Sequence, residues 1–416
     1  MLLDSDAHSR AVAALPETLI ERARVGFAAF EALPSPLPKD EDWRYVDIPF
    51  DIADLSLATS PGLSPRPGDT AASALVASLG GARIVDGSTV EASGGDRVSV
   101  TAFGDTPPDA LAGFEFRAPT DRIGAMHDAF AHDGVVVHAR AGAVSEAPVL
   151  VEMIATADGA VSLPSLLVRA DEQSDLSVLI DQRSADGLAC IVVPRIEVMA
   201  AAAARVRITV LQSWGDATVA IASHRMRVGR DASAEFAEAG FGGAFSRVGL
   251  DISLTGSGAW SGVWGAYFGD REQTLDYRYY MRHEAPNTTS EMFLKGAVGD
   301  SATSVFTGMI RIEPEGQKTN AHQTNRNLVL SQGAEAHSVP NLEILADDVR
   351  CGHGSAVGPL DEEQRYYLMS RGLPQTRADR VQVKGFFDEA LARFPVQDVV
   401  ASLGELALAK YGRVVA

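Results

Sequence analysis

The stretch Arg205-Val206-Arg207-Ile208-Thr209-Val210 decides the fold class, because apolar and polar side chains alternate along it. A period of two places the three apolar side chains on one face of a β-strand and the polar ones on the other. Similar short apolar runs recur at residues 135–138, 305–312, 328–330 and 342–345. The segment from about residue 134 to residue 357 is therefore predicted to be a long succession of strands.

Helix signals nearly vanish in this segment, and Gly or Asp marks most junctions between the runs. A strand region of this length without intervening helices excludes a doubly wound α/β fold and leaves a sandwich, a barrel or a solenoid. The length favours the solenoid, since coils of roughly 20 residues or more can stack indefinitely. No strict repeat is visible in the sequence, and a loose solenoid needs none because it constrains only its inward positions.

Helical patterns appear on the N-terminal side of the strand region. Leu19, Ala23 and Phe27 fall at helical spacing, which predicts one amphipathic helix over residues 15–33. The proline-rich residues 61–68 are typical of an open connector, because proline fixes φ and lacks a donor. We therefore treat residues 1–133 as a mixed, helix-containing region.

The C-terminal end of the chain carries clear helix punctuation. Asp361 begins a capping-box pattern and Gly372 supplies a stop, which together predict a helix over residues 362–371. Apolar spacing predicts a second helix from about Thr376 to Pro395 and a third from about Asp398. The β core is accordingly assigned to residues 134–355 and a small helical domain to residues 356–416. The apolar surplus of these helices fits either partner binding or packing on the end of the solenoid.

Composition narrows the function classes. The formal charge of −19 repels polyanions, so neither nucleic acid nor an anionic membrane is expected as a partner. The N-terminus lacks the basic and apolar parts of a signal peptide, and Pro194 interrupts the most apolar stretch, so we expect no export and no membrane span. Two cysteines, Cys190 and Cys351, fit a reducing cytoplasm and are too few to hold an iron–sulfur cluster alone.

Familiar catalytic motifs are missing from the sequence. Residues 316–319 fall one residue short of the phosphate-binding P-loop, so the chain is not expected to bind ATP itself. The zinc-protease, calcium-loop and serine-hydrolase patterns are also missing. We therefore expect no catalytic residues in this chain.

The segment with the most chemistry is Asp347-Asp-Val-Arg-Cys351-Gly-His353-Gly354. If it is a strand, Cys351 and His353 point to one face and offer a thiolate and an imidazole, which suit iron or zinc. The alternative is structural, with Cys351 packed as a small apolar residue and His353 bonded to a backbone carbonyl. His322 and His337 precede His353 by similar steps and could stack with it on successive strands.

This segment resembles the signature of the SufB/SufD family of iron–sulfur cluster assembly proteins. The likeness continues, in order and spacing, at residues 343–344, 357–358, 361–364, 367–368 and 370–372, and upstream at 41–45, 296–299, 306–308, 323–325 and 340–343. Gly354 stands where SufB proteins carry a glutamate, and Asn325 stands where they carry a cysteine. The chain thus resembles the SufD branch, and a SufB-like cluster scaffold remains the alternative. A β-helical carbohydrate-active enzyme is a third hypothesis, which would need a cleft with paired carboxylates.

The resemblance implies a right-handed parallel β-helix that acts as a non-catalytic scaffold and holds no tightly bound cofactor of its own. It further implies a heterodimer with SufB, with a homodimer as the form in isolation, and a transient cluster at the interface beside His353 and, as a shared ligand, Cys351. The ATPase SufC would dock on the C-terminal helices. The residues assigned to that docking are Tyr367, Leu368, Arg371, Gly372, Phe386 and Phe387.

Overall fold

The computed structural model of the chain describes residues 2–37, 39–58, 78, 80–114 and 117–415. The predicted connector at residues 61–68 lies outside the described residues. Within the described part, no helix has both the length and the apolar character needed to cross a membrane.

Strands make up the centre of the chain. The strands before residue 201 are β1 (Gly81–Val85), β2 (Ser88–Ser93), β3 (Val98–Ala102), β4 (Val135–Ala139), β5 (Val149–Ala155), β6 (Val161–Ser162), β7 (Ser165–Ala170), β8 (Asp175–Ser184), β9 (Ile191–Val192) and β10 (Arg195–Ala200). Those that follow are β11 (Arg205–Ser213), β12 (Val219–Val228), β13 (Ser233–Gly240), β14 (Phe245–Leu254), β15 (Trp260–Gly269), β16 (Thr274–His283), β17 (Thr289–Val298), β18 (Thr303–Ile312), β19 (Asn320–Val329), β20 (Glu335–Ile344) and β21 (Arg350–Gly358).

Helices flank the strands on both sides. They are α1 (Ser5–Ala14), α2 (Glu17–Ala32), α3 (Pro108–Leu111), α4 (Arg122–Phe130), α5 (Glu362–Ser370), α6 (Gln375–Leu391) and α7 (Val400–Val414). Short 3₁₀ turns lie at Glu41–Trp43, Ile52–Asp54, Phe103–Asp105 and Gln397–Val399.

The strands form two long sheets that face each other. One has the order β2-β1-β5-β8-β11-β13-β15-β17-β19-β21, and the other β20-β18-β16-β14-β12-β10-β7-β4-β3. Their ladders are parallel except β1–β2 and β3–β4. Each coil takes roughly 30 residues, as the paired positions Trp260, Thr289, Asn320 and Arg350 show. The predicted mainly β fold is confirmed as a parallel β-solenoid of about eight turns.

The solenoid interior is filled by alternate residues of both sheets. Val206, Ile208 and Val210 of β11 are buried in this core, whereas Arg205 and Arg207 lie on the opposite face. The alternation that predicted the fold is therefore the alternation between the interior and the outer surface. Each coil buries its inward side chains against the next, which is what gives the stack one continuous core.

The N-terminal region differs from the prediction of a single helix over residues 15–33. Two helices form, because Pro16 follows α1 and starts α2 with an extended backbone. The predicted apolar face is largely correct, since Leu19 and Ala23 are buried and Phe27 is half-buried. Strands β1 to β3 also come from this region and close that end of the solenoid with antiparallel pairs.

The C-terminal helices begin and end close to the predicted residues. The Asp361 carboxylate caps α5 by accepting the N–H groups of Glu363 and Gln364, and Gly372 takes the left-handed conformation after the helix, with φ +93°. Helices α6 and α7 pack on the outer face of the first sheet at β15 and β17. Much of their apolar surplus is therefore buried on the solenoid, as one of the two alternatives predicted, but on the outer face of a sheet and not on the end of the stack.

Candidate functional site

Strands β20 and β21 end the two sheets at the C-terminal side of the solenoid. Each pairs with one neighbour, β20 with β18 and β21 with β19, and within the described residues no strand continues either sheet. An edge strand presents a row of backbone N–H and C=O groups that another chain can pair with. We call β20 and β21 together the open end.

Cys351 and His353 both face the solenoid interior at this open end. In the ladder with β19, Cys351 lies beside Ala321 and His353 beside Gln323, and both of these β19 residues are buried inside. Neighbours in a parallel ladder share a face, so the spacing of two brings the thiol and the imidazole to one side, as predicted. The Ser355 Oγ donates to Ser338 Oγ at 2.8 Å, which confirms that β21 faces β20 across the interior.

The two side chains differ in exposure. Cys351 is half-buried and packs against the interior core, and burial raises the pKa of its thiol. The His353 side chain is exposed because no further coil covers it. Its ring has no hydrogen bond to a backbone carbonyl within the described part of the chain. Cys351 therefore packs as a small apolar residue, as the structural alternative predicts. The exposed His353 ring does not have the backbone carbonyl partner that this alternative requires.

The donor set at the open end is incomplete for a metal centre. Among the described residues no cluster of three His, Cys, Asp or Glu side chains is arranged to hold a metal ion. Cys351 and His353 supply one sulfur and one nitrogen, whereas an iron–sulfur cluster takes four protein ligands. The chemistry of these two donors suits iron.

The predicted row of stacked histidines is wrong. His322 lies beside Gly352 in the ladder and is exposed on the outer face of β19, whereas His353 faces inward. His337 belongs to the other sheet, where its ring stacks on Tyr45 with centroids 5.3 Å apart. Equal steps along the sequence do not place these residues on one face. The face that a side chain takes depends on the number of residues in each coil and on where the inward–outward alternation of its strand begins.

Polar side chains continue from the open end into the interior. The Tyr267 hydroxyl donates to Asn327 Oδ1 at 2.7 Å, and Asn325 donates to the same hydroxyl at 3.1 Å. Gly296 of β17 lies between Tyr267 and Asn327 in the ladder and leaves room for the tyrosine ring to reach β19, since a Cβ there would lie 1.9 Å from that ring. Further in, the Tyr279 hydroxyl donates to Glu238 Oε2 at 3.0 Å, and burial raises the pKa of Glu238 to about 8.

Glu238 gives a pH-dependent prediction. Its folded pKa lies above the ordinary value of 4.5, so the folded chain holds a proton that the unfolded chain releases. Its contribution to the unfolding free energy therefore falls as the pH rises from about 4.5 to about 8, by up to about 1.4 kcal/mol per pH unit. The Glu238→Gln variant should gain stability relative to the wild type across this window in urea unfolding. Identical pH profiles for the two chains would contradict the buried, protonated carboxyl.

Residues 153–386 match the family described as SUF system FeS cluster assembly, SufBD core domain. The chain belongs to the SufBD family. It is 35% identical over 289 residues to SufBD family iron–sulfur cluster assembly proteins of Mycobacterium bovis and Mycobacterium tuberculosis, covering 68% of this chain and 72% of each relative.

Relatives named SufD also match this SufBD chain. The iron–sulfur cluster assembly protein SufD of Bacillus subtilis is 35% identical over 151 residues, covering 36% of this chain and 35% of the relative. SufD of Escherichia coli is 33% identical over 168 residues, covering 39% of this chain and 40% of the relative. The resemblance to SufD is thereby confirmed, and the chain is a component of SUF-system iron–sulfur cluster assembly.

A second surface of this SufBD protein lies on α5 and α6. Every residue of α5 is exposed or half-buried, and an open groove of about 800 Å³ runs between α5, α6 and the sheet. The helical surface, as we call it, consists of the exposed apolar side chains Tyr366, Tyr367, Met369 and Val381. Tyr366 is 76% exposed, and the sequence prediction missed it although adjacent tyrosines off any apolar stripe signal exposure.

The predicted docking residues divide into two groups. Tyr367, Leu368 and Phe386 line the groove, and the Arg371 guanidinium lies 5.2 Å from the centre of the Tyr367 ring. Phe387 is buried against Phe268, with ring centroids 6.0 Å apart. Phe387 therefore holds α6 on the solenoid and is not accessible for docking, because its side of the helix faces the sheet.

The N-terminal segment at residues 41–45 reaches the same sheet as β20. The Arg247 guanidinium lies 3.8 Å from the centre of the buried Trp43 ring, and Arg278 donates to the backbone oxygen of Glu41 at 3.4 Å. The Tyr45 ring contacts His337 on β20. This segment therefore covers the outer face of the sheet up to the open end.

Proposed function

We propose that the chain is a SufD-like, non-catalytic scaffold of a cytoplasmic SUF complex, which pairs with SufB through the open end and docks the SufC ATPase on the helical surface. The observation that carries the proposal is the position of His353. It is the exposed imidazole on the inward face of an edge strand, where a second solenoid would continue the stack. Family membership supports the iron–sulfur setting.

The open end supports pairing with a like-shaped partner. The backbone N–H of Arg350 donates to Thr319 O at 2.8 Å, which points this group toward β19. Alternate residues of a parallel strand bond to opposite sides, so the N–H groups of Cys351, His353, Ser355 and Val357 point to the open edge. A strand from a sister subunit can accept these hydrogen bonds and continue the sheet.

The incomplete set of metal ligands at the open end supports the view that an iron–sulfur cluster is passed through this site and is not a resident cofactor of the chain. With one thiol and one imidazole, the chain cannot complete the coordination of a cluster, and pairing with SufB would bring the missing ligands to the same interior space. The interior position that holds a cysteine in SufB is Asn325 here, and it is committed to hydrogen bonds with Tyr267 and Asn327. This favours the SufD-like role over a SufB-like scaffold.

The helical surface supports the docking of an ATPase. The chain has no P-loop of its own, so ATP hydrolysis would be supplied by a partner. Aromatic and apolar side chains beside a groove are typical of protein-binding surfaces. Helix α6 connects that surface to the sheet through Phe387 and through the contact of Lys295 with Glu389. Movement of a docked ATPase would thereby reach the solenoid as a rigid body.

A proline substitution at the open edge tests the proposal. Val357 is exposed and its N–H points away from β19, so Val357→Pro should leave the internal ladder intact and remove one donor to the partner. We expect about tenfold weaker association with SufB in a co-purification titration. The matched control Val357→Thr keeps the N–H and should bind almost as well as the wild type. Wild-type affinity of a folded Val357→Pro chain would overturn pairing through this edge.

A further inference from the structure

A row of side chains on the outer face of the second sheet leads to the open end. Arg247, Asp276, Val305 and His337 are neighbours in the successive ladders of β14, β16, β18 and β20. The first three are buried, whereas the His337 side chain is 38% exposed. The row therefore becomes exposed where the stack of coils ends.

The N-terminal segment that crosses this sheet covers the buried part of the row. The Trp43 ring packs against the Arg247 guanidinium, and Trp43 and Val46 belong to the same apolar cluster as Val305. Both Trp43 and Val46 are buried, so they anchor the segment on the sheet. The position of the segment is thereby fixed up to the last coil.

Tyr45 and His337 end this cover at the open end, and we call the pair the aromatic rim. Their rings stack with centroids 5.3 Å apart, and Tyr45 is 38% exposed. Neighbouring strands lie about 4.8 Å apart, so a strand added to β20 would place a side chain beside His337 in the row, within reach of the aromatic rings. Aromatic side chains are enriched in protein–protein interfaces.

Backbone pairing at β20 is less complete than at β21. The N–H groups of Glu335 and Leu345 donate toward β18, so those of the even-numbered residues between them point to the open edge. One of these even-numbered residues is Pro340, which has no N–H. A strand that pairs with β20 therefore lacks one hydrogen bond in the middle of the ladder. Side-chain contacts then contribute more to association at β20 than at β21.

We propose that the aromatic rim is the part of the docking surface that holds the second sheet to the partner solenoid. In the complex, an apolar side chain on the outer face of the partner's first strand packs beside His337 and against the Tyr45 ring. The proposal rests on pairing through the open end, as proposed above, and adds a side-chain contact on the outer surface. The N-terminal segment thereby spans the seam between the two subunits.

The first test is a titration of the full-length chain with purified SufB. Tyr45→Ser should weaken association about tenfold, because loss of an aromatic anchor at an interface commonly costs this factor. Tyr45→Phe keeps the ring and should bind within about twofold of the wild type. Val90→Ser changes an exposed apolar side chain on β2, at the other end of the first sheet, and should have no effect. Trp43 and Val46 are unchanged, so the segment should stay anchored in every variant.

A photo-reactive benzophenone side chain in place of Tyr45 measures proximity without relying on affinity. It should cross-link to SufB in the complex, because the side chain at this position lies at the seam. The same group in place of Val90 should not cross-link to SufB.

The edge variant Val357→Pro separates failure of the aromatic rim from failure of the pairing. Weaker binding by Val357→Pro together with wild-type affinity of a folded Tyr45→Ser chain would overturn the rim alone. Wild-type affinity of both variants would overturn the pairing through the open end as well. A complex that forms but gives no cross-link from position 45 would also contradict the rim.

Discussion

Replacing His353 with alanine should lower the maturation of iron–sulfur enzymes in cells by about tenfold or more, while association with SufB stays within about twofold of the wild type. In the proposed role the imidazole is a donor to the cluster, and loss of a ligand or of the groups that orient it costs at least this factor in related metal sites. The edge backbone that would pair with SufB is unchanged by the substitution. The measurement is the activity of iron–sulfur enzymes in cells whose only copy carries the variant.

His322→Ala is the matched control for this prediction. His322 lies on the neighbouring strand, close in the ladder to His353, but on the outer face. Its loss should leave maturation unchanged, because the proposed cluster site is inside the open end. Full maturation with His353→Ala, or equal loss with His322→Ala, would contradict a role for the inward imidazole.

The double variant Tyr366→Ser/Tyr367→Ser should weaken association with SufC by about 100-fold or more. Exposed aromatic side chains at the centre of an interface contribute about 2 kcal/mol or more each, and these two are the most exposed of the helical surface. The change should leave the thermal stability of the chain nearly unaffected, since neither side chain is buried. Titration of purified SufC against the immobilised chain measures the effect.

Point variants are preferable to deletion of the helical domain. Helices α6 and α7 cover Trp264, Phe268 and Phe293 on the outer face of the sheet, so truncation after residue 360 would expose this apolar surface and confuse loss of docking with aggregation. Lys384→Ser, on the exposed side of α6, serves as the control and should bind SufC normally. Wild-type affinity of the double tyrosine variant would place the ATPase on another surface.

Features set by local periodicity could be predicted from the sequence. Alternation in β11 identified inward and outward faces, and Asp361 and Gly372 marked the ends of α5. The shared face of Cys351 and His353 followed from the same period of two. In each case the deciding interaction lies within a few residues of the chain, which is why a single sequence contains it.

Features set by contacts between distant segments could not be predicted in this way. The orientation of His322 and His337 depends on how many residues each turn between strands consumes, and no strict repeat fixed that number. The family resemblance assigns Phe387 to docking, and only the packed sheet shows that its side of the helix is covered. The hydrogen bond from Gln323 Nε2 to the backbone oxygen of Asn341 likewise depends on which strand faces β19 across the interior.

Amide hydrogen exchange of the open end tests the central claim most directly. Exchange is followed for β20 and β21 in the isolated chain and in its complex with SufB. If the open end continues into a sister solenoid, the outward N–H groups of Cys351, His353, Ser355 and Val357 should exchange rapidly alone and at least about tenfold more slowly in the complex. Equal exchange in the two states, with protection confined to another surface, would contradict the claim.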